Sequence, residues 1–595
     1  MSKCKTIYFD YTLVLIYSIV SQKSFSITPW SFEDHFIWTQ LLHLVAFVFI
    51  PLRFYKKAGV SPHQVYRYAF GFLIVHAVSQ FISSLFLMPT CSFWYGLRWY
   101  FLLEAPSLFL LTSLSLFLIQ HCSRRRYIYL WLICFVTFFG LFIVYDLLET
   151  PTLFFFHPSI GYYPGPLYDH WIPIPRSLIF ASLWSVVAGI FFYMWTRKRQ
   201  IGFLGFILLL PLLIRSTLGL HQTHQTVQSA LPSHYTTQFT QVFSDQALRS
   251  SQLQSMDYYI QRISKTIALP LPTNPIKIYI YSDPRQKKRL TGTHLTMIGN
   301  PRQRSLHILD FSTWDLLFVH ELTHALSSPL RQNILSMPLN PLLTEGLAMY
   351  TQKYMGPYNL QQWGKAIVRF RKQTTLANID QISFYRQPPL HAYGLAGAWI
   401  DYLIQTYGID RYKKYYGGQP FSNVYPSPQH EVEKQWFAWM DQAVLTEEIY
   451  NTMLSSLERK SVFEVKCPHE IAHALYKIEQ CHDEQPCKGY WEAYAKGCSE
   501  NYTIPKGYQK PIIKPLGTLL ATDIDHYTAL QKNKHYIDIA KQYEKIDDFA
   551  SALTYVEKAM AIVPSEVLAI QRDRLSFLLD GSAKKNPVQT KSPQL

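Results

Sequence analysis

The chain has 595 residues, 49% hydrophobic and 16% aromatic, with a formal net charge of +16, and this length predicts two to four domains. Residues 1–220 contain 16 basic and 7 acidic residues, with the basic ones chiefly in loops between apolar stretches, so the charge needs no nucleic-acid explanation. No arginine-rich run, zinc-finger spacing or aromatic-basic alternation is present, which excludes nucleic acid as an expected partner.

The first 220 residues predict a multi-pass α-helical membrane domain, since a transmembrane helix needs about 20 apolar residues. Six stretches are long enough or nearly so: 36–54, 68–88, 100–120, 127–146, 177–196 and 201–219. A seventh, 6–22, follows Lys3 and Lys5 and is either a first span or a cleaved signal peptide, although Asp10 weakens both interpretations. We therefore expect six or seven spans in a lipid bilayer.

Basic residues between the spans predict the orientation, because loops rich in Lys and Arg stay in the cytoplasm. Three alternate loops carry Arg53, Lys56, Lys57, Arg67, Arg124, Arg125, Arg126, Arg197, Lys198 and Arg199. The intervening loops hold only Lys23, Arg98 and Arg176. This pattern places everything after residue 220 on the extracytoplasmic side, whether periplasmic, extracellular or lumenal.

Polar residues within the spans raise the question of transport, because burying them in lipid is costly unless they are paired. The residues are His43, His76, Glu104 and Arg215. Glu104 and Arg215 lie near predicted span ends, where we expect them to reach the interface, and the histidines are expected to form interhelical hydrogen bonds. Transport is therefore not the favoured function.

The soluble part contains an HExxH motif within FSTWDLLFVHELTHALSSPL at 311–330. Residues four apart share one face of a helix, so His320 and His324 can bind one metal ion. Glu321 lies beside them, where it can take a proton from an attacking water and pass it to a leaving amine. Surrounding apolar residues predict a buried helix that Pro329 ends.

A second motif supplies the expected third ligand, which matters because HExxH alone is a weak signal in a long chain. NPLLTEGLAMYTQKY follows about twenty residues later and predicts a helix beginning after Pro341. Glu345 on this helix can complete a Zn²⁺ site with His320 and His324, leaving one position for water and substrate. Gly346 permits close backbone approach beside it.

HExxH followed by an EGLA-type helix resembles the gluzincin metallopeptidases, particularly their peptidase-MA-like branch, over residues 230–420. The resemblance implies an α+β, thermolysin-like metallopeptidase domain at 221–425. The opening elements that it implies are PSHYTTQFT at 232–240, a helix at 245–267 and IKIYIY at 276–281.

The same resemblance implies a substrate-binding strand. RSLHIL at 304–309 falls where gluzincins place the edge strand that substrates extend. An extended peptide would then pair along Leu306, His307 and Ile308, with main-chain affinity and little sequence demand.

The segment HAYGLAGAWIDYLIQTYGIDRYKKYY at 391–416 resembles the gluzincin helix that carries a tyrosine just before a glycine. This implies that Tyr393 donates a hydrogen bond to the oxyanion of the tetrahedral intermediate. Gly397 falls four residues after Tyr393 rather than three as in aminopeptidase relatives, so core packing of Tyr393, with His391 in its place, stays open. No GxMEN-type exopeptidase signature is present, which favours an endopeptidase.

Four cysteines cluster in a region expected to be helical at 426–510. They are Cys467, Cys481, Cys487 and Cys498. In an oxidising compartment they predict two disulfides among themselves, with three connectivities open. A second zinc site with His469, His473 and His482 is the alternative, but the paired CxxC spacing of structural zinc sites is missing.

The C-terminal region 511–580 is expected to be helical, and residues 534–564 match one tetratricopeptide-like (TPR-like) helix pair. The matching positions are Ala540, Tyr543, Phe549, Ala552, Ala559 and Pro564. One repeat buries too little alone, so we expect packing against the 565–579 helix, neighbouring helices or a protein partner. An ordinary amphipathic hairpin is the alternative, and the tail 581–595 is expected to be disordered.

Two functions remain. The first is an active zinc endopeptidase that cleaves extracytoplasmic proteins or peptides near the membrane. The second is an inactive membrane-anchored binding or sensing protein with a peptidase-like fold and a partner-binding TPR-like segment. The intact His320, Glu321, His324 and Glu345 favour the first, and soluble-type strands and helices around the motif argue against an intramembrane protease.

Overall fold

The computed structural model divides the chain into two compact units, which are mostly helical with small sheets. The first comprises Met1–Val227, Arg285–His294 and Val462–Ile504, and the second comprises Gln228–Pro284, Leu295–Ser461 and Pro505–Leu595. The described residues are 10–16, 29–55, 61–86, 91–135, 142–157, 161–165, 169, 171–197, 219, 222–314, 316–331, 333–372, 374–461, 464, 467–473, 515–522, 524–525 and 527–581. The predicted 426–510 region is thus shared between the units.

The first unit contains four helices that are long and apolar enough to cross a membrane, in agreement with four of the predicted spans. They are Phe32–Phe54, Pro62–Phe86, Phe93–His121 and Arg176–Thr196. Two of them include π-helical turns, at Val45–Phe49 and Tyr100–Glu104. This composition associates the chain with a membrane.

The other predicted spans lie partly or wholly outside the described residues. Helices Arg124–Phe135 and Phe142–Glu149 cover parts of 127–146. Of 201–219 only Gly219 is described, and of 6–22 only the helical residues 10–16.

Shorter elements complete the first unit and lead into the second. Strands β1 (Phe155–His157) and β2 (Gly161–Tyr163) form an antiparallel pair, and short helices span His224–Ser229 and Pro284–Thr291. Residues 285–294 are apolar or basic in large part and belong to the first unit, although they lie between strands of the second.

The second unit is built on a five-stranded mixed sheet. Its strands are β3 (Ser233–Thr236), β4 (Thr240–Ser244), β5 (Ile276–Tyr281), β6 (Ile298–Asn300) and β7 (Ser305–Leu309). Their order is β3-β4-β5-β7-β6, with β4, β5 and β7 parallel and the two outer strands antiparallel to their neighbours. Strand β7 is therefore interior.

This order corrects the predicted substrate strand. Leu306, His307 and Ile308 are buried and all pair with β5, and Leu306 and His307 also pair with β6, so this strand is not an edge of the sheet. His307 stacks on Tyr279 at 4.5 Å between ring centroids, and its Nδ1 lies 2.9 Å from the Tyr281 hydroxyl. The edge strand next to it is β6.

Helices surround this sheet and bury one continuous apolar core. They are Ser250–Thr266, Leu317–Leu326, Pro341–Gln352, Leu360–Arg371, Ile382–Arg386, Pro389–Tyr407, Ile409–Tyr416, Phe421–Val424, Gln429–Asp441 and Glu447–Leu457, with 3-10 turns at Ser328–Leu330 and Leu376–Ile379. A short helix, Leu516–Leu520, contacts the C-terminal helix Ala529–Lys545 instead. A small antiparallel pair joins β8 (Tyr354–Met355) to β9 (Tyr358–Asn359). The amphipathic helix Ser250–Thr266 buries its apolar face against this core.

The C-terminal segment forms three helices, Ala529–Lys545, Phe549–Ile562 and Glu566–Gly581. The small residues Ala540, Ala552 and Ala559 are fully buried between them, as expected where two helices of a pair approach closely. The third helix covers the pair, and its Ile570 joins the core of the second unit.

A buried ion pair joins the first and third of these helices, and hydrogen bonds to its carboxylate attach them to the rest of the second unit. The Arg574 Nη atoms donate to both Glu544 oxygens at 2.9 and 2.7 Å, and both side chains are nearly inaccessible, 0% and 3% exposed. The Thr313 hydroxyl and the Trp314 indole, just before the HExxH segment, also donate to Glu544 at 2.6 and 2.7 Å. Burial alone would raise the pKa of Glu544, but Arg574 lowers it below its usual range.

We predict that Arg574→Met lowers the free energy of unfolding by about 3–5 kcal/mol, because it leaves a buried carboxylate without its partner. Thermal melting of the full chain in detergent measures this. Since Glu544 has a lowered pKa, the pair's contribution is present above about pH 4 and is lost as the pH falls through the folded-state value.

The matched control is Arg572→Gln, because Arg572 is 44% exposed and pairs only with its neighbour Asp573 in the salt bridges of the described residues. Its effect should stay within about 0.5 kcal/mol. Equal effects of the two substitutions would contradict the role given to the buried pair.

Candidate metal centre

The HExxH motif lies on a buried helix, Leu317–Leu326, which we call the HExxH helix. Every residue from Phe318 to Leu326 on it is buried, as the apolar pattern predicts. His320 and His324 lie one turn apart with ring centroids separated by 5.0 Å. The two imidazoles therefore face the same side of the helix.

Glu345 comes from the next helix, Pro341–Gln352, which we call the EGLA helix. Asn340 caps it by accepting a hydrogen bond from Leu342 N at 3.1 Å, with Pro341 in the first turn. The Glu345 Oε2 atom lies 3.1 Å from His320 Nε2 and 3.3 Å from His324 Nε2. The three predicted ligands are brought together by two helices.

Mutual electrostatics hold these three side chains in place. Burial alone would lower the pKa of His324, but the Glu345 carboxylate raises it above its usual value. Burial would likewise raise the pKa of Glu345, but His324 and His320 lower it well below the usual range. The carboxylate is therefore anionic at neutral pH and favours a cation beside the two imidazoles.

Glycines allow the helices around this centre to pack so closely that a side chain at these positions would collide with the neighbouring helix. A Cβ on Gly346, next to Glu345, would lie 2.4 Å from Ile400 Cγ1 and 2.9 Å from the Ala396 carbonyl oxygen. A Cβ on Gly397 would lie 2.7 Å from Met349 Cβ. The EGLA helix and the helix Pro389–Tyr407, which we call the Tyr393 helix, thus interlock through one glycine each.

A third glycine brings the sheet edge to the HExxH helix. A Cβ on Gly299, in the middle of β6, would lie 2.2 Å from the Glu321 carbonyl oxygen and 2.9 Å from His324 Cβ. Only a residue without a side chain permits this approach. The sequence interpretation missed Gly299, because its role depends on which strand occupies the edge.

Glu321 and Tyr393, which were also predicted at this site, lie close to the three ligands, whereas His391 does not. Glu321 is buried on the HExxH helix, 8% exposed. The Tyr393 ring lies 5.8 Å from the His320 ring between centroids. His391, the alternative to Tyr393, is buried with its Nε2 2.9 Å from the Leu457 carbonyl oxygen, so it serves packing in another direction.

The two distances from Glu345 Oε2 suit ligands of one tetrahedral metal ion, and all three ligand atoms lie within 4.8 Å of one another. Two ligands bonded at 2.0 to 2.1 Å in tetrahedral geometry are roughly 3.3 Å apart, and Glu345 Oε2 lies 3.1 and 3.3 Å from the two imidazole nitrogens. Two imidazoles and one carboxylate form a donor set suited to zinc. His320, His324 and Glu345 can therefore hold a metal ion.

The predicted cysteine pairing is wrong for Cys467. This residue forms a disulfide with Cys91, 376 positions earlier, within the first unit. Its sulfur therefore cannot serve in the alternative zinc site, and His469 lies 2.8 Å from the Glu33 carboxylate. Cys481, Cys487 and Cys498 lie outside the described residues.

Comparison with protein-family models, curated proteins and solved structures finds no match to this chain. Its function must therefore be inferred from the geometry of its own side chains.

We predict that Gly299→Ala destabilises the protein by about 1–3 kcal/mol, because the new methyl group meets a backbone carbonyl that cannot rotate away. Thermal melting and metal content of the full chain measure the effect. Gly517→Ala is the matched control, since its Cβ would meet nothing within 4 Å. A loss of the same size in both variants would rule out the steric explanation.

Proposed function

We propose that this chain is a membrane-associated zinc metallopeptidase of the gluzincin type that acts as an endopeptidase on extracytoplasmic proteins or peptides. The observation that carries the proposal is the convergence of His320, His324 and Glu345 on one point at ligand spacing. The HExxH and EGLA motifs, which resemble that family, lie on the two helices that supply these ligands.

In this proposal each chemical step of peptide hydrolysis is assigned to a residue or to the metal ion. When bound, zinc supplies Lewis acidity, which polarises the scissile carbonyl and makes water a nucleophile at neutral pH. Glu321 takes the proton from the attacking water and delivers it to the leaving amine. Tyr393, beside His320, donates a hydrogen bond to the developing oxyanion.

We assign substrate binding to the edge strand β6 rather than to β7. Among the described strands β6 pairs only with β7, so its other edge is open to an extended peptide. Gly299 brings this strand against the backbone of Glu321 and the side chain of His324. A peptide paired along Ile298–Asn300 would therefore run close to the metal ligands.

Two observations support an extracytoplasmic location for the catalytic unit. Loops rich in Lys and Arg alternate with loops that hold few of them, which predicts that the chain after residue 220 lies outside the cytoplasm. The Cys91–Cys467 disulfide favours an oxidising compartment, and Cys91 falls in a loop with the same predicted side.

The inactive binding protein remains the alternative function. In it the TPR-like helices would bind a partner, for which the exposed Leu530 and Ile546 on this segment are available. One face of these helices already contacts the rest of the second unit, where Thr313 and Trp314 donate hydrogen bonds to Glu544. The following measurement separates the two functions.

We predict that His320→Asn lowers the zinc content of the purified full chain by about one ion and abolishes cleavage of unfolded casein. Glu321→Gln should keep the zinc and reduce cleavage at least 100-fold, since it removes the general base but no ligand. Elemental analysis and a fluorescent casein assay give the two readings.

His430→Asn is the control, because His430 is an exposed histidine of the same unit. It should alter neither reading. A zinc content equal to that of the wild type in a folded His320→Asn variant would refute the ligand assignment, and a zinc-loaded wild type without cleavage of any tested protein would favour the binding protein.

We also predict that Tyr393→Phe leaves the zinc content unchanged and lowers kcat about 10- to 1000-fold with little change in KM, because the hydrogen bond forms mainly in the transition state. Steady-state kinetics on a peptide substrate test this. An unchanged kcat would make Tyr393 a packing residue.

A further inference from the structure

The membrane-associated unit contains a cluster of buried polar side chains. Asp34 and His35 lie on the first long helix, His76 and Gln80 on the second, and Glu104 at the end of the π-helical turn of the third. Each of these five residues is at most 3% exposed. Three apolar helices thus contribute polar groups to one place.

Glu104 is the centre of this cluster. One of its carboxylate oxygens contacts His35 Nδ1, and the other lies 2.7 Å from His76 Nδ1. One ring nitrogen from each histidine and the carboxylate therefore lie within 4.8 Å of one another. The π-helical turn at Tyr100–Glu104 widens the helix at this residue, a feature that often accompanies functional sites.

The two carboxylates of the cluster require positive charge close by. Two carboxylates, Asp34 and Glu104, are buried among apolar helices, and such burial is costly unless positive charge compensates them. One divalent cation with two neutral imidazoles supplies this charge, and so do two imidazolium ions. Among the described residues the His35 ring hydrogen-bonds only to Glu104, through Nδ1, so Nδ1 is the nitrogen that faces the centre of the cluster.

The surroundings of His76 match those of a metal-bound histidine. Its second ring nitrogen, Nε2, lies 2.9 Å from Asp34 Oδ2, and the Gln80 amide also contacts Asp34. A metal-ligating histidine usually donates its other N–H to a carboxylate in this way, which fixes the ring. Trp38 stacks on the same imidazole at 4.1 Å between centroids.

We propose that His35, His76 and Glu104 form a second, intramembrane binding site for a divalent transition-metal ion of the zinc class, with Asp34 orienting His76. Two imidazoles and one carboxylate suit such ions, whereas Mg²⁺ and Ca²⁺ prefer oxygen ligands alone. The site is independent of His320, His324 and Glu345, because it lies in the other unit of the chain.

Elemental analysis of the full chain, purified in detergent from zinc-supplemented cells, tests the proposal. We expect about two zinc ions per chain in the wild type and one in His76→Asn. The same loss is expected in Glu104→Gln, whereas the double variant His76→Asn/His320→Asn should hold none. Iron, manganese and cobalt are counted in the same samples.

His43→Asn is the matched control, because His43 lies on the same helix as His35 but outside the cluster. It should retain both ions. An unchanged zinc content in a folded His76→Asn variant would overturn the proposal and make the cluster a hydrogen-bonded network in which protons neutralise the carboxylates.

A second measurement leaves the cluster intact, so it does not depend on variants of this cluster folding. The His320→Asn chain is stripped with a chelator and titrated with Co²⁺, whose visible absorption reports nitrogen and oxygen coordination. We expect one equivalent to bind, with competition by Zn²⁺. No binding would overturn the proposal, whereas metal retained by His320→Asn and lost in His76→Asn would uphold it even if the peptidase assignment failed.

Discussion

The distance of closest approach at three glycines determines the geometry around His320 and His324. Gly299 lets the sheet edge touch the backbone of the HExxH helix, while Gly346 and Gly397 let the EGLA and Tyr393 helices interlock. Glu345 stands next to Gly346, so the same packing that seats the helices carries its carboxylate to within 3.1 Å of His320. A bulkier residue at any of these positions would separate the elements that carry the ligands and Tyr393.

Three of the buried or partly buried carboxylates among the described residues, Glu544, Glu345 and Glu104, differ in the groups that contact them, and this difference distinguishes their roles. Glu544 receives hydrogen bonds from Arg574, Thr313 and Trp314, so its oxygens are fully engaged by hydrogen donors and its role is structural. Glu345 and Glu104 instead contact imidazole nitrogens, which can either hold a proton or bind a metal. Glu544 therefore joins structural elements, whereas Glu345 and Glu104 each belong to a group of side chains that could hold a metal ion.

Sequence patterns predicted the features that depend on residues close together in the chain. Four spans follow from runs of apolar residues, and the shared face of His320 and His324 follows from their spacing on one helix. Strand order could not be predicted, since the apolar pattern of 304–309 suits an interior strand as well as an edge. Glu104 was expected at the interface, yet it is fully buried, because its partners come from two other helices.

The Cys91–Cys467 disulfide joins residues separated by 376 positions, and this separation has a consequence for biosynthesis. At a synthesis rate of about 5–20 residues per second, Cys91 waits roughly 20 to 75 s before Cys467 has been made. During that interval the Cys91 thiol is available to other cysteines, and an oxidoreductase that reshuffles disulfides would correct any wrong partner. Residues 225–595 made as a separate chain would lack Cys91, so Cys467 would be left without this partner.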